Sequence, residues 1–240
     1  MKQLFISDLH LKSLDDPVSQ RFWDFLENIA PSADELYILG DFFEVWIGDD
    51  AQNNLSKTVA EKLRQLKEHH QVTLYFMAGN RDFLIGQDYC QQAGMIRLND
   101  PYPLPSNPSI LLSHGDEQCT SDIEYQKVRQ MLRDPKWQDS FLSQPLEQRI
   151  AFAKQARTQS KEHQEGYELT DLSPDAMIKQ LQQYGAQLLI HGHTHQPKLE
   201  AIESNNKGHS FERLTLSDWD HDIYYAEIID DSPPNLIKFS

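Results

Sequence analysis

Short apolar runs recur along the first two-thirds of the chain, and segments with helical periodicity lie between them. Runs of this kind predict buried β-strands, whereas apolar positions three and four residues apart predict amphipathic helices. Strands that alternate with helices indicate an α/β sandwich in which the strands run largely parallel. The predicted strands are residues 3–7, 36–39, 72–77, 109–113 and 187–190, and the predicted helices are residues 18–30, 55–69 and 174–184.

Two segments depart from this alternation. The last thirty residues contain short strand-like stretches with turns between them, which predict an antiparallel portion that closes the fold. Residues 120–166 contain no strong strand and predict two or more helices. Because no repeat or low-complexity linker is present, we interpret 120–166 as a helical insertion within one domain that spans residues 1–240.

Composition narrows the class of protein. The chain is 39% hydrophobic and 25% charged, as soluble globular proteins are. No apolar run approaches the roughly 20 residues that cross a bilayer, and the N-terminal run is too short for a signal peptide, so we expect a cytoplasmic protein. In that setting Cys90 and Cys119 are expected to be free thiols.

The charge is strongly negative overall but uneven. A net charge of -15 disfavours non-specific binding to nucleic acid or to an anionic membrane. Residues 122–161 nevertheless carry eight basic and five acidic side chains, a local excess of three positive charges. This basic island fits an anionic ligand or an anionic surface, and it also fits an ordinary solvated helical face.

Every predicted strand is followed by a residue that can bind a metal ion. Ligands of open α/β sheets lie beyond the carboxyl ends of the strands, so parallel strands would deliver these side chains to one place. Asp8 and His10 would point the same way if the strand geometry persists through them. The candidate donors are Asp8, His10, Asp41, Asn80, His114, His193 and His195.

Seven donors are too many for one four-coordinate zinc site, and they suit two ions that share a carboxylate. Carboxylate, amide and imidazole donors without a thiolate favour Mn²⁺, Fe or Zn over a soft metal. Glycines beside four of the donors let the backbone approach an ion or a phosphate closely. These glycines are Gly40, Gly79, Gly115 and Gly192.

Five short motifs, in this order, resemble those of the calcineurin-like metallophosphoesterases: DLH, GDFFE, GNRD, SHGDE and HGHTH. The resemblance spans about residues 5–197. It implies a four-layer α-β-β-α sandwich with a two-metal centre at the strand ends. It further implies that Asp41 bridges the ions, that Asp8, His10 and His195 hold one of them, and that Asn80, His114 and His193 hold the other.

The third motif carries Arg81 where most members of the family have a histidine. An arginine cannot act as a general acid at neutral pH, but its guanidinium can bind a phosphate with two hydrogen bonds. The longer stretches GNRDFLIG, GDFFEVWIGDD and HGDEQCTSDIEYQKVR are similar to one branch of the family, the UDP-2,3-diacylglucosamine pyrophosphohydrolases of lipid A biosynthesis.

This branch resemblance implies a reaction, a metal and a location. The reaction is attack of water at the α-phosphorus of UDP-2,3-diacylglucosamine, which yields UMP and 2,3-diacylglucosamine 1-phosphate, usually with two Mn²⁺ ions. The enzyme would be peripheral on the cytoplasmic face of the inner membrane of a Gram-negative bacterium. No obligate protein partner and no nucleic-acid partner is expected.

The resemblance also assigns roles to residues. Arg81, His193 and His195 would be catalytic, and the acyl chains would enter between insertion and core near Trp46, Phe83, Phe141 and Phe152. At positions 164 and 167 the branch usually has Asn and Lys, where this chain has Gln and Tyr. The substrate contacts would be Asn80, Arg81, Asp122, Ser160, Gln164, Tyr167 and His195.

Two other functions fit part of the pattern. A nucleotide or dinucleotide polyphosphate hydrolase on the same fold would keep all seven donors and explain Arg81, but not the basic and apolar insertion. A scaffold that has lost its metals would not be expected to retain every donor.

Four further residues that could bind a metal ion lie near the candidate donors in the sequence but are not assigned to the donor set. His191 is interpreted as a buried, hydrogen-bonded histidine outside the ligand set, and Asp49 and Asp50 as a solvated turn. Asp116 is expected either to support His114 or to cap a loop.

Overall fold

Two β-sheets pack face to face, and helices cover the outer face of each. The computed structural model describes residues 1–164, 171–202, 210–220 and 223–239, with no description of the side chains of residues 159–164. The first sheet has six strands in the order β11-β10-β1-β2-β3-β4, and the second has five in the order β5-β6-β7-β9-β8. Strands β1 to β4 run parallel, and so do β6, β7 and β9.

The strands are β1 (Lys2–Ile6), β2 (Glu35–Leu39), β3 (Thr73–Met77), β4 (Met95–Arg97), β5 (Tyr102–Pro103), β6 (Ile110–Ser113), β7 (Leu188–His191), β8 (Lys198–Ala201), β9 (Glu212–Thr215), β10 (Tyr224–Ile229) and β11 (Asn235–Lys238). The helices are α1 (Pro17–Asn28), α2 (Asn54–His70), α3 (Gln87–Ala93), α4 (Ile123–Leu132), α5 (Pro135–Leu142), α6 (Leu146–Gln164) and α7 (Pro174–Tyr184).

Alternation of side chains along each strand produces the layers. Leu4 and Ile6 of β1 face α1 and α2, whereas Phe5 between them faces the second sheet. Leu111 and Leu189 likewise pack under α7, while their neighbours point between the sheets. Both faces of both sheets are therefore covered, which confirms the predicted α-β-β-α sandwich.

Local sequence sets the ends of the helices. The side chain of Asp16 caps α1, which begins with Pro17, and the side chain of Ser173 caps α7, which begins with Pro174. Gly185 ends α7 at φ +66°, a backbone conformation that glycine adopts at little cost. These signals explain why the predicted helix 174–184 is correct at both ends.

The five predicted strands and three predicted helices are all present, with ends that shift by one or two residues. The periodicity did not reveal α3, β4, β5 or β8, which are short or lie at sheet edges. The prediction for the last thirty residues is correct for β10 and β11, which pair antiparallel. It is correct only in part for β9, which pairs antiparallel with β8 but parallel with β7 inside the second sheet.

The segment 120–166 forms three helices, α4 to α6, over its described part. Buried Asp116 anchors α4, because its Oδ2 atom accepts hydrogen bonds from the hydroxyl of Tyr125 at 2.7 Å and from Nε of Arg129 at 2.9 Å. Several large apolar side chains on these helices are exposed: Ile123, Val128, Met131, Leu142, Leu146, Ile150 and Phe152. Over the part of the chain that the structure describes, no helix combines the length and apolarity that a membrane span needs.

Candidate dimetal active site

The predicted donors converge at one edge of the sandwich, where strands of both sheets end. Asp8, Asp41 and Asn80 follow β1, β2 and β3 of the first sheet, and His114 follows β6 of the second. His193 and His195 follow β7, the neighbour of β6. The loops after five strands thus supply every donor, as the parallel arrangement predicts.

One group of donors consists of Asp8, His10 and His195. Nε2 of His195 lies 3.3 Å from Oδ1 of Asp8 and 3.4 Å from Nε2 of His10. One ligand atom from each residue lies within 4.8 Å of the other two, a spacing that permits a shared metal ion.

A second group consists of Asp8, Asp41 and His114, whose ligand atoms meet the same 4.8 Å limit. Asn80 belongs beside this group, since its Oδ1 atom lies 3.0 Å from Nε2 of His114 and 3.0 Å from Nδ1 of His193. The Nδ1–H group of His114 donates to the carbonyl oxygen of Leu39 at 2.9 Å, which leaves Nε2 to face the site.

Asp41 lies between the two groups. Its Oδ2 atom is 3.8 Å from Nε2 of His10, and its Oδ1 atom is 3.7 Å from Nε2 of His114. The two oxygens of one carboxylate therefore face different groups of donors. A carboxylate in this position can serve two cations.

The donors fit divalent metal ions. Asp8 and His114 are fully buried, and Oδ1 of Asp8 has no hydrogen-bond partner in the described part of the chain. A buried carboxylate oxygen that lacks a well-aligned hydrogen bond needs a compensating positive charge, which a bound cation or a protonated His195 at 3.3 Å can supply. Oxygen and imidazole donors without a thiolate match Mn²⁺, Fe or Zn.

The backbone of the site is strained. Seven described non-glycine residues have positive φ, and five of them are candidate donors. The cost of this left-handed conformation is of order 1–3 kcal/mol each, and such residues cluster at functional sites. The five are Asp8 (φ 55°), His10 (φ 48°), Asp41 (φ 50°), His193 (φ 69°) and His195 (φ 56°).

This strain corrects one step of the sequence argument. Asp8 and His10 do converge, but extended geometry does not persist through them as the i, i+2 spacing assumed. The N–H groups of both residues instead donate to carbonyl oxygens that follow β2, those of Gly40 at 3.0 Å and Asp41 at 2.9 Å. Contacts with the neighbouring loop, rather than strand alternation, aim the two side chains.

Negative charge concentrates in the site. Burial lowers the pKa of His195, but Asp8 and Asp218 outweigh it and raise this pKa to about 10. Burial likewise opposes the effect of Asp41 and Asp8 on His114, whose pKa rises to about 9. The carboxylates that favour protons on these imidazoles also attract divalent cations.

Two glycines let carboxylates and backbone meet closely. A Cβ atom at Gly192 would lie 2.2 Å from Oδ2 of Asp8, and one at Gly79 would lie 2.2 Å from Oδ1 of Asp41. Neither separation is possible for a real side chain. Gly79 and Gly192, two of the four glycines noted in the sequence, therefore make room for the donors.

Arg81 lies directly beside the donors. Its backbone N–H donates to Oδ1 of Asp41 at 2.8 Å. The side chain forms no ion pair with any described residue, and its Nε atom is buried without a hydrogen-bond partner there. An arginine without a carboxylate partner at the edge of the site suits an anionic ligand.

Several sequence-based interpretations of neighbouring residues can now be judged. His191 is buried with both ring nitrogens hydrogen-bonded, to the carbonyl of Gly192 at 2.8 Å and to the hydroxyl of Thr215 at 3.1 Å, so it lies outside the donor set as predicted. Asp116 anchors α4, and the ring nitrogens of His114 instead contact Leu39 and Asn80.

The solvated turn predicted at Asp49 and Asp50 is correct for the exposure of Asp50, but Asp49 is only partly exposed and both carboxylates have partners. The carboxylate of Asp49 accepts hydrogen bonds from Nε1 of Trp46 and from the backbone of Gly86 and Tyr89. Asp50 forms an ion pair with Arg149 of α6. Both carboxylates therefore fix loops in place.

Among the predicted substrate contacts, Asn80, Arg81 and His195 lie at the donor site. Asp122 is exposed and caps α4 through a 2.9 Å hydrogen bond from the N–H of Tyr125. Ser160 and Gln164 lie in α6, but their side chains are outside the described residues, and Tyr167 is outside them altogether.

Three acidic residues near the donors escaped the sequence argument. Asp82 is buried and accepts hydrogen bonds from the N–H groups of Phe42 and Gly79, so it ties the loops after β2 and β3 together. Oε2 of Glu44 lies 3.9 Å from Nδ1 of His10, and Oδ2 of Asp218 lies 3.3 Å from Nδ1 of His195. Glu44 and Asp82 stand within the GDFFE and GNRD motifs, which could have pointed to them.

Comparison with known proteins agrees with this geometry. Residues 1–197 match the model of the calcineurin-like phosphoesterase family. The UDP-2,3-diacylglucosamine hydrolase of Marinobacter nauticus is 42% identical over 98% of this chain and 97% of its own length. The enzymes of the same name from Chromohalobacter salexigens (42% identical, 100% and 98% covered) and Hahella chejuensis (44%, 94% and 93%) are equally similar. The chain therefore belongs to the calcineurin-like phosphoesterase family, and within it to the group of the UDP-2,3-diacylglucosamine hydrolases.

Proposed function

We propose that this protein hydrolyses UDP-2,3-diacylglucosamine by attack of water at the α-phosphorus, with UMP and 2,3-diacylglucosamine 1-phosphate as products. The observation that carries the proposal is the convergence of the seven donors beside an arginine that has no ion-pair partner among the described residues. Relatives that are 42–44% identical over almost the whole chain bear the name of this reaction.

Two cations, which we propose to be Mn²⁺, would be held by the donor set. Asp8, His10 and His195 would bind one, Asn80, His114 and His193 the other, and Asp41 both. When bound, such ions polarise phosphate oxygens and lower the pKa of a coordinated water.

The protein's own side chains orient the diphosphate. The fork of N–H groups of Arg81 suits two phosphate oxygens, and the hydrogen bond from its backbone to Asp41 fixes it beside the donors. His193 and His195 lie at the same edge and would offset the negative charge that develops on the phosphate. His193 is also held in place, because its N–H donates to Oδ2 of Asp8 at 2.9 Å and its ring stacks on Tyr125 of α4.

Aromatic rings between insertion and core would contact the acyl chains. Phe83 of the core lies 6.4 Å from Trp137, which stacks on Phe141 at 4.9 Å, and Phe141 in turn contacts Phe152 of α6 at 5.2 Å between ring centroids. Trp46 packs instead on Phe43 and Tyr89, beside a cavity of about 250 Å³ lined also by Leu11 and Leu55. Each buried methylene of a chain contributes about 0.8 kcal/mol, so these surfaces could supply much of the affinity.

The insertion would act as a lid that meets the membrane. Its exposed apolar side chains lie on helices that also carry the exposed cations Lys127, Lys136 and Lys154. A surface of this kind suits a lipid substrate in an anionic bilayer. We place the protein at the cytoplasmic face of the inner membrane as a peripheral enzyme.

The test is release of UMP from UDP-2,3-diacylglucosamine in detergent micelles, with Mn²⁺ and after chelation. Metal-dependent release is expected, and a bis(nucleoside) polyphosphate without acyl chains serves as the comparison substrate. Faster turnover of the soluble nucleotide would instead favour a polyphosphate hydrolase. Turnover of neither substrate would contradict the proposal.

A further inference from the structure

His10 and His195, the two histidines of the first donor group, are oriented in the same way. In each, Nε2 faces the other donors: His10 and His195 approach each other through these atoms at 3.4 Å. An imidazole that offers the lone pair of Nε2 to a cation carries its proton on Nδ1. Each ring therefore needs an acceptor at Nδ1.

A carboxylate lies at that position in both cases. Oδ2 of Asp218 is 3.3 Å from Nδ1 of His195. Oε2 of Glu44 is 3.9 Å from Nδ1 of His10, which is buried and has no hydrogen-bond partner among the described residues. A shift of about 1 Å would turn this contact into a hydrogen bond. By contrast, Nδ1 of His114 has the carbonyl of Leu39.

We propose that Glu44 and Asp218 are positioning residues that orient the imidazoles of His10 and His195 toward one shared cation. This inference rests on the metal site of the proposed function. Histidines that bind metals generally donate their other N–H to a carboxylate or carbonyl, which fixes the ring and makes it a stronger ligand. Neither carboxylate belongs to the seven donors, and neither touches the cation in this assignment.

Glu44 has a second contact that must be separated from the first. Its Oε1 atom forms an ion pair with Arg157 of α6, and its side chain is 16% exposed. A loss of Glu44 could therefore act through the insertion and not through His10. Arg157→Met removes the ion pair while it leaves the carboxylate beside His10.

The experiment measures Mn²⁺ retained by the full-length protein in a series of chelator concentrations, without lipid. Glu44→Ala and Asp218→Ala are each expected to lower the affinity for the ion held by His10 and His195 by about 10- to 100-fold. The affinity for the other ion should stay unchanged. Glu44→Gln and Asp218→Asn are expected to fall between native protein and the alanine variants, because an amide oxygen still accepts a hydrogen bond but carries no charge. Arg157→Met should retain both ions.

Asp50→Asn is the matched control, since Asp50 pairs with Arg149 of the same helix but contacts no donor. Thermal unfolding in excess chelator identifies any variant that fails to fold, and the amide variants still test the inference in that case. Native-like retention of both ions by the Glu44 and Asp218 variants would overturn it, as would an equal loss in Arg157→Met. If the native protein binds two ions tightly but releases no UMP from the lipid nucleotide, the proposed function is wrong while this inference still stands.

Discussion

The backbone N–H of Arg81 donates a 2.8 Å hydrogen bond to Oδ1 of Asp41, the carboxylate that faces both groups of donors. This bond does not depend on the side chain at position 81. The guanidinium can therefore be changed while the carboxylate keeps its partner. Metal binding and phosphate recognition are separable at this residue.

Arg81→Lys is expected to keep both metal ions but to lose roughly 10- to 100-fold in kcat/KM. The guanidinium can donate two parallel hydrogen bonds to the phosphate, whereas the lysine ammonium offers only a point charge. Arg81→Ala should lose more, and Arg81→His should not restore turnover of the diphosphate. The measurement compares the lipid nucleotide with bis-p-nitrophenyl phosphate, a simple phosphodiester, across the three variants. Wild-type turnover of the lipid nucleotide by Arg81→Ala would refute the role in phosphate binding.

Asp41→Ala is expected to abolish activity and to weaken both metal ions, because its two oxygens face His10 and His114 separately. Metal content after gel filtration checks this. Asp139→Ala, an exposed change on α5, is the control and should keep both ions. Loss of only one ion from Asp41→Ala would show that the carboxylate does not bridge.

Gly192→Ala is expected to impair metal binding, since the added Cβ would lie 2.2 Å from Oδ2 of Asp8 and 2.5 Å from Oγ of Ser7. Gly185→Ala is the control, because nothing lies within 4 Å of its Cβ position and only φ +66° opposes it. The control should lose about 1 kcal/mol of stability and no metal affinity. Equal metal content in the two variants would argue against the steric account.

Phe141→Ala is expected to raise KM for the long-chain substrate and to leave the metal ions in place, because Phe141 is buried against Trp137 and Phe152 and touches no donor. Arg157→Ala should act in the same direction through the loss of its pair with Glu44. Turnover of long-chain and short-chain substrates is compared for each variant. Loss confined to the long-chain substrate indicates contact with the acyl chains, whereas equal loss for both indicates an indirect structural effect. Ser140→Ala, an exposed change on the same helix, should alter neither the KM for the long-chain substrate nor the metal content.

The two cysteines should not react in the folded protein at pH 8. Both are buried, and burial raises the pKa of Cys90 and of Cys119 to about 12. The reactive thiolate therefore becomes abundant only as the pH approaches that value. A colorimetric thiol reagent should count no thiol in native protein and two after denaturation; rapid labelling of native protein would contradict the burial.

Sequence patterns predicted the α/β architecture and the donors because both depend on local signals, whereas the four layers were implied by the family resemblance. Apolar runs marked the central strands, and the residues that follow them proved to be the ones that converge. The convergence of Asp8 and His10 was expected for the wrong reason, since positive φ angles rather than strand alternation aim them.

Contacts between distant segments could not be read from local patterns. Glu44 and Arg157 are 113 positions apart, and His195 meets Asp218 only after the chain has passed through two further strands. No periodicity encodes which of many charged residues will meet across such a span. The anchoring of α4 by Asp116 was also missed, although its partners Tyr125 and Arg129 are only 9 and 13 positions away.

The donor set is divided between the two sheets, with Asp8, Asp41 and Asn80 on the first and His114 and His193 on the second. Behind this edge, the two sheets pack against each other through a layer of apolar side chains that includes Phe5, Leu112 and Ile190. A cation bound by both sets of donors would oppose any sliding of one sheet over the other, by an amount set by its affinity and concentration. Substitutions deep in the intersheet layer would thus change the affinity for the metal ions, even though the substituted side chains contact no donor.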